Sequence, residues 1–513
     1  MADMVTIREE DLITSVADAL QFISYYHPMD YIQALGVAYE AEQGPAAKDA
    51  IAQILTNSRM CAEGHRPICQ DTGIVNVFID WGQDCRLESS RSLQDVVDEG
   101  VRRAYLDPDN KLRASVLADP AFTRRNTRDN TPCVLTVNMV TGNKVGIDVA
   151  AKGGGSENKS KFKMMNPSDS IVDWVLEMLP QMGAGWCPPG MLGIGIGGTS
   201  EYCMMLAKKS LMEPIDMAQL KLRGASNDIE ALRIEIFDKV NALGIGAQGL
   251  GGLSTILDVK ILDWPTHAAG KPVAMIPNCA ATRHAHFTLD GSGPVFLETP
   301  KLDQWPDVHW TPDKAAKRVN LDALTQAEVC SWKQGDRLLL SGKMLTGRDA
   351  AHKRIQDMLA AQKAGGGEAL PVDFKGRAIY YVGPVDPILG EVMGPAGPTT
   401  ATRMDKFTDM MLELGLLTMI GKAERGQGAV SEIAKHKVAY LMAVGGAAYL
   451  VARAIREARV VAFEDLGMEA IYEFTVEDMP VTVAVDSEGN NVHQLAPLVW
   501  KEKIAREGLL PTG

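Results

Sequence analysis

The sequence predicts two folded units of different class: an α+β unit over residues 1–298 and a smaller α/β unit over residues 323–513. Three observations carry this. The chain has 513 residues, room for two or three domains at about 150 residues each. Its first part mixes alternating apolar runs with amphipathic helices in no fixed order, whereas its last part alternates strand with helix. The stretch between them, 299–322, is polar, carries prolines and has weak periodicity, so it reads as a linker.

Taken in order, Val75 to Trp81 alternates as a strand should. Cys133 to Val140 and Lys144 to Ala150 are two further alternating runs, joined by Thr141-Gly142-Asn143, which predicts a hairpin. Ser168 precedes a helical pattern with Ile171, Trp174, Val175, Met178 and Leu179 on one face. A second helix is expected from Asp228 to Ala242, with Ile229, Leu232, Ile236 and Val240 turned inward. The linker is expected to wrap the surface, with Trp305 and Trp310 packed against the body. Beyond it come a strand at Ile379 to Val382 and a helix from Thr400 to Leu414, stopped by Gly415. Strands at Val438 to Val444, Val460 to Phe463 and Val481 to Val485 complete the second unit.

Lys and Arg number 52 against 65 Asp and Glu, a net charge of −13. Such a chain has no electrostatic reason to bind nucleic acid or an anionic membrane. A small anionic substrate must be met by a few placed Arg and Lys residues. The N-terminus lacks a basic region leading into an apolar run. No apolar stretch reaches the roughly 18 residues of a membrane span. The expectation is a soluble, cytoplasmic protein.

The eight cysteines are widely spread and form no Cys-x-x-Cys pair, so no disulfide framework is expected. For any one of them the default is a small buried hydrophobe. Cys69, Cys187 and Cys279 stand apart, because each sits on a Pro- or Gly-marked loop outside a regular element. Cys133 falls in a strand and Cys203 in the helical run Ser200 to Leu211. Three loop thiols can hold a metal or cluster, since thiolate is the soft ligand such centres take. A [4Fe–4S] cluster with only three thiolates keeps one iron open.

Two Gly-x-Gly-x-x-Gly matches, at Gly193 and at Gly244, lack the strand–helix–acid setting of a dinucleotide site. Close backbone approach around a site is the alternative. Gly153-Gly154-Gly155 can cup an anion with backbone N–H groups, or be a flexible loop. In Met393 to Asp405, Thr399 or Thr400 suits an N-cap and Arg403 falls in the first helical turn. Free N–H groups and a bidentate Arg there would grip a carboxylate. An ordinary capped helix with a surface Arg is the alternative, and Arg348 before Asp349 has a similar look. There is no His-Glu-x-x-His and no Gly-x-Ser-x-Gly, so metalloprotease and serine-hydrolase readings lack support.

Seven segments in order, from about residue 60 to 490, together resemble the class I, iron–sulfur fumarate hydratases. In the first unit they are Pro-x-Cys-Gln-Asp-Thr-Gly (67–73), Lys-Gly-Gly-Gly-Ser-Glu-Asn-Lys (152–159), Cys-Pro-Pro-Gly (187–190) and Gly-Ile-Gly-Gly-Thr-Ser (195–200). In the second they are Thr-Gly-Arg-Asp-Ala-Ala-His (346–352), Gly-Pro-Thr-Thr-Ala-Thr-Arg-Met-Asp (397–405) and Leu-Gly-Met-Glu-Ala-Ile (466–471). The resemblance implies a cluster-binding N-terminal domain and a C-terminal domain that swivels over it. It implies an oxygen-sensitive, homodimeric lyase of the tricarboxylic acid cycle that interconverts fumarate and (S)-malate. Cys69, Cys187 and Cys279 would hold a [4Fe–4S] cluster whose fourth iron takes substrate. Substrate contacts would fall on Gln70, Asp71, Arg113, Gly155, His267, Arg348, Thr399, Thr400, Arg403 and Lys422. Of these, Thr399 would lie nearest the C3 proton, with Asp71 and His267 handling the hydroxyl.

Two positions depart from the family pattern. Ala114 stands where Tyr is common after Leu-Arg, and Lys422 is one residue short of the spacing in some relatives. Near rivals are mesaconate hydration, for which Ala114 would make room, and tartrate dehydration, whose enzymes usually split the two domains between chains. A rival of another class is a cluster protein that senses iron or oxygen by binding RNA.

Overall fold

The computed structural model describes residues 4–388 and 390–509. The first unit holds two four-stranded sheets. In the first sheet, Ile74–Gly82 lies in the middle, antiparallel to Val145–Lys152 and parallel to Val134–Val140. His284–Leu289 completes it beyond Val145–Lys152. The expected hairpin is therefore not formed: its two strands flank a third. Gly82–Asp84, at the end of the middle strand, take the carbonyls of the connection instead. Gln83 N–H donates to Val140 O at 2.8 Å, Asp84 N–H to Gly142 O at 3.0 Å and Gly82 N–H to Lys144 O at 3.0 Å. The physical reason lies in burial. Val75, Val77, Phe78 and Ile79 are all buried, so this strand needs partners on both edges, whereas Val134–Val140 is largely exposed and suits an edge. Helices Glu9–Tyr25 and Leu93–Tyr105 pack on this sheet, the second started by a capping box of Ser92 and Asp95.

The second sheet runs in the order Ile256–Trp264, Gly190–Gly197, Lys271–Asn278, Lys161–Met165. Its glycines have a packing role. A Cβ on Gly193 or Gly195 would overlap the carbonyls of Ala207 and Cys203 in the helix Ser200–Ser210. The first Gly-x-Gly-x-x-Gly match is thus a helix lying hard on a strand, not a lining of the site. Ile171–Met182 is a helix as expected, capped by Ser170, whose Oγ accepts from Asp173 N–H, rather than by Ser168. Asp228–Asn241 buries Ile236, Phe237 and Val240, while Ile229 and Leu232 are half-buried.

The second unit is built on one seven-stranded sheet. Arg337–Thr346, Ala378–Tyr380, Thr418–Gly421 and Ala439–Met442 run parallel, one beside the next. The long strand Ile471–Val485 then pairs antiparallel with both Ala439–Met442 and Arg337–Thr346. Those two pairings close five strands into a ring, around a core that includes Leu340, Met344, Tyr380, Ile420, Leu441 and Phe474. Lys317–Asn320, inside the 299–322 stretch, is already a strand of this sheet. Trp305 and Trp310 pack as expected, donating to Ser58 Oγ at 3.0 Å and Asp49 Oδ1 at 2.9 Å on the helix Pro45–Gly64.

The two units share buried apolar surface. Ile51, Ile54 and Ala280 of the first lie in one cluster with Val444, Ala447 and Leu450 of the second. Asn57 Oδ1 caps the helix Ala448–Ala454 by accepting from Tyr449 N–H at 2.8 Å and Leu450 N–H at 3.0 Å.

Candidate active site

Three loops bring the predicted thiols together at this junction. Helix Pro45–Gly64 ends at His65 in the left-handed conformation, and the chain turns into Cys69-Gln70-Asp71. The Cys187 and Cys279 loops are tied by a hydrogen bond from Ala280 N–H to Cys187 O, 3.0 Å. Cys69 and Cys187 are buried, Cys279 partly so, and none is in a disulfide. Burial pushes the Cys187 thiol up to about 11, Lys422 pulls it back, and Cys279 and Cys69 push it further. The three sulfurs therefore feel one another. Lys422 Nζ lies 3.2 Å from Cys187 Sγ. Three thiols beside a lysine, two of them buried, are the donor set of a soft metal centre, and they fit a cluster held by Cys69, Cys187 and Cys279. Backbone comes very close here: a Cβ on Gly445 would overlap Cys187 Sγ.

Beside the thiols lies a chamber of about 210 Å³. Nine of the ten expected substrate residues line it: Gln70, Asp71, Arg113, Gly155, Arg348, Thr399, Thr400, Arg403 and Lys422. Gly155 lets Lys422 through, since a Cβ there would lie 2.9 Å from Nζ and 3.0 Å from Gly185 O. Gln70 Nε2 donates to Pro398 O at 3.1 Å, across the junction.

The charges of the chamber are poised for an anion. Arg113 is pushed down to about 10, first by burial and then by the guanidinium of Arg348. Among the described residues, Nε of Arg113 and Nε of Arg348 are both buried without a partner. Arg348 Nη2 reaches Glu469 only at 3.5 Å. Arg113 Nη1 does donate to Gly383 O, but two cations that oppose each other's charge and keep unspent Nε donors call for a carboxylate. Burial works to raise the Asp71 carboxyl, but Arg113, Arg283, Lys422 and the Gly154 N–H outweigh it and hold it below the ordinary range. Asp71 Oδ2 accepts from Gly154 N–H at 2.8 Å, so the glycine loop does cup an anion, the protein's own.

The segment after Pro398 corrects one expectation. It begins not as an α-helix but as a 3-10 turn, Ala401–Phe407, which leads into the α-helix Thr408–Glu413. Thr400, at its start, makes no side-chain cap. Thr399 N–H donates to Tyr381 O at 2.8 Å and Ala401 N–H to Lys422 O at 3.1 Å. Those N–H groups are consumed by the ends of two neighbouring strands and are not free for a substrate carboxylate. Arg403 pairs with Asp349, and its Nη1 lies 3.5 Å from Thr399 Oγ1.

His267 is not in the chamber. It lies in an exposed loop after Ile256–Trp264, beside Trp264 and Tyr202 in a separate cleft. Its place in sequence, twelve residues before Cys279, is bridged by a strand that carries the chain away from the site. Sequence reading missed Ser115 and Asn158, which line the chamber. It also missed Arg283, buried, whose Nη1 holds Asp71 O at 2.6 Å. Arg283 follows Cys279 by four residues, and that proximity was its only signal.

The family profile described as "Fumarate hydratase (Fumerase)" matches residues 13–288, and "Fumarase C-terminus" matches residues 291–496. A protein of Escherichia coli (strain K12) named "Fumarate hydratase class I, anaerobic" is 30% identical over 486 residues, covering 91% of this chain and 86% of its own. "Fumarate hydratase 2" of Leishmania major is 29% identical over 507 residues, covering 95% and 87%. A "Putative L(+)-tartrate dehydratase subunit alpha" of Methanocaldococcus jannaschii is 34% identical over 278 residues, covering 53% of this chain and 94% of its own. With both profiles matched along its length and this likeness to enzymes named for the reaction, the chain belongs to the class I fumarate hydratase family of lyases.

Proposed function

We propose that this chain hydrates fumarate to (S)-malate, and reverses the reaction, in the chamber between its two units. The observation that carries this is the pair of guanidiniums of Arg113 and Arg348, each with a buried Nε that has no partner among the described residues, beside three thiols of which two are buried. A small dicarboxylate completes the first group, and a [4Fe–4S] cluster completes the second. When bound, the cluster supplies an open iron, a Lewis acid that weakens the bond to the departing hydroxyl.

The chain's own residues do the rest. Arg113 and Arg348 hold a carboxylate and stabilise the charge that builds on it as the C3 proton leaves. Asp71, kept ionised by its cations, accepts a hydrogen bond from the substrate hydroxyl. Thr399 takes the C3 proton. Its hydroxyl can do so only as the alkoxide, after giving its own proton to solvent, and Arg403 Nη1 at 3.5 Å favours that charge. Lys422 holds charge against Cys187.

A second reading keeps the chemistry and changes the acid, since one relative bears a tartrate dehydratase name. Mesaconate adds one methyl, worth only about 1–3 kcal/mol of discrimination. In this reading Ser115, which lines the chamber, meets that methyl more directly than Ala114, which lines the space outside it.

We further propose a cytoplasmic homodimer. Among the described residues no helix is long and apolar enough to cross a membrane. Lys161–Met165 and Val134–Val140, edge strands of the two sheets, expose Phe162 and Met164, and Val134 and Met139, apolar edges that a second copy would cover. In that dimer His267 serves the partner's chamber. A swivel of the second unit would open the chamber by parting Gln70 from Pro398 and Arg66 from Glu391, a pair now 2.9 Å apart.

The test is turnover by anaerobically reconstituted protein, with fumarate, mesaconate and tartrate side by side. Fumarate should be hydrated with the highest kcat/KM, and Cys69→Ser, Cys187→Ser and Cys279→Ser should each lose both iron and turnover. Full activity in a metal-free protein would end the proposal.

A further inference from the structure

The chamber opens outward into a vestibule of about 1090 Å³, far larger than a four-carbon acid fills. The two spaces share Arg113, Arg348 and Arg403 in their walls. Eight Lys and Arg line the vestibule against four carboxylates. This local excess of cations belongs to a chain whose net charge is −13. A dianion approaching such a protein is repelled on average, and only the mouth attracts it.

The four carboxylates are already taken. Asp349 pairs with Arg403, Asp386 with Lys111 and Asp465 with Arg354, while Glu469 accepts from Ala350 N–H at 2.9 Å and lies 3.5 Å from Arg348. Among the described residues, Arg124, Arg128 and Lys406 of the vestibule have no carboxylate partner. Arg124 Nη1 donates only to Pro120 O at 2.9 Å, and Lys406 Nζ lies 4.8 Å over the Phe407 ring.

The loop that presents the two arginines is built rather than loose. Leu117–Ala118 pairs with Arg125–Asn126 in a short antiparallel ribbon. Asn126 Nδ2 donates to Ala114 O at 2.9 Å, and its Oδ1 accepts from Arg128 N–H at 2.7 Å. Arg124 and Arg128 stand at φ 51° and 72°, a left-handed backbone that is costly for a residue with a side chain. Strain of this kind persists where the surroundings impose it, and it gathers at functional positions.

We propose that Arg124, Arg128 and Lys406 form an outer capture site for the dianionic substrate, from which it passes inward to Arg113 and Arg348. This rests on the hydratase reading and assigns its substrate a second, outer station. The site recognises charge rather than shape. At physiological salt the screening length is about 8 Å, so the attraction is confined to the mouth and weakens as salt is added.

The experiment compares two triple variants of the anaerobically reconstituted full chain. Arg124→Gln, Arg128→Gln and Lys406→Gln together should lower kcat/KM for fumarate roughly tenfold at low ionic strength. The triple should keep kcat and the cluster absorption, and its kcat/KM should fall less steeply with added salt. Lys239→Gln, Lys314→Gln and Lys501→Gln remove the same charge from exposed sites elsewhere and should leave kcat/KM as in the wild type. Wild-type kcat/KM and salt slope in the first triple would overturn the capture site, as would an equal loss in the second. Calorimetric titration of fumarate into both triples needs no turnover. If the wild type hydrates no dicarboxylate, the functional reading falls. Weaker fumarate binding by the first triple alone would then still support the capture site.

Discussion

Thr399 gives its N–H to Tyr381 O and its hydroxyl oxygen to Arg403. A helix cap would spend that hydroxyl on the chain's own backbone, yet the 3-10 turn that follows takes no side-chain cap. Its loss therefore reads on chemistry more than on folding. Thr399→Ala should lower the melting temperature less than a lost cap would, about 1 kcal/mol. It should lower kcat by roughly 10²-fold or more, the scale of a positioned proton acceptor. Cluster content should stay unchanged, because the thiols are untouched. Solvent-deuterium exchange into malate measures the C–H step directly. Normal exchange in Thr399→Ala would move the base elsewhere, with Asp71 the next residue to examine. At this scale the sequence was informative where chemistry forces a rare local pattern. The cysteines with Pro or Gly neighbours were visible for that reason, whereas the approach of Lys422 to Gly155 appears only in the fold. Arg283 was not, because a buried arginine in Ala-Ala-Thr-Arg looks like any other until Asp71 is folded onto it.

Single helices and strands were legible, and their partners were not. Ile74–Gly82 is as apolar as its neighbours suggest, but only burial on both edges shows that it separates two strands expected to pair. Glycine spacing likewise shows close approach without saying to what, and at Gly193 and Gly195 the answer is a helix. The helix Asp349–Lys363 carries a consequence for pH. His352, on its first turn, is buried with Nδ1 2.8 Å from Arg348 O and Nε2 without a partner. Burial first, with smaller opposing contributions, brings its pKa down to about 4 from 6.5. His27, equally buried, is likewise brought down to about 4. The folded state thus holds these rings neutral while the unfolded chain protonates them. Their contribution is fully present above pH 6.5 and is lost as pH falls through about 4. One such histidine accounts for about 2–3 kcal/mol over that window. Urea midpoints should therefore drop between pH 7 and pH 4.5, and His352→Leu should drop less over the same span. An equal drop in wild type and variant would show that His352 is solvated in the folded protein.

For the molecule as a whole, order along the chain revealed two units but not how they meet. Ring closure by Ile471–Val485 depends on pairing with a strand more than a hundred residues earlier, and no local pattern encodes that. The meeting surface is apolar and borders the candidate site, since the cluster of Ile51, Ala280 and Val444 backs the loops that hold the thiols. One expected catalytic residue still stands outside. His267 lies in an exposed cleft with Trp264, whose indole is half in solvent. If it acts, it acts on a second copy, and that arrangement has a signature in mixed dimers. Thr399→Ala and His267→Ala should each be nearly inactive alone. In a dimer holding one of each, the chamber with Thr399 intact receives His267 from the other subunit, which is also intact. The second chamber lacks both. Random pairing then restores roughly a quarter of the wild-type activity. If His267 served its own chamber, every site in the mixed dimer would lack one residue, and co-expression would restore nothing. Tagging each variant differently and purifying through both tags isolates the mixed species, and sedimentation confirms its size. Activity near half of wild type in that species places His267 across the interface. Its absence, with the dimer intact, would remove His267 from the partner's chamber and leave the hydroxyl held by Asp71 alone.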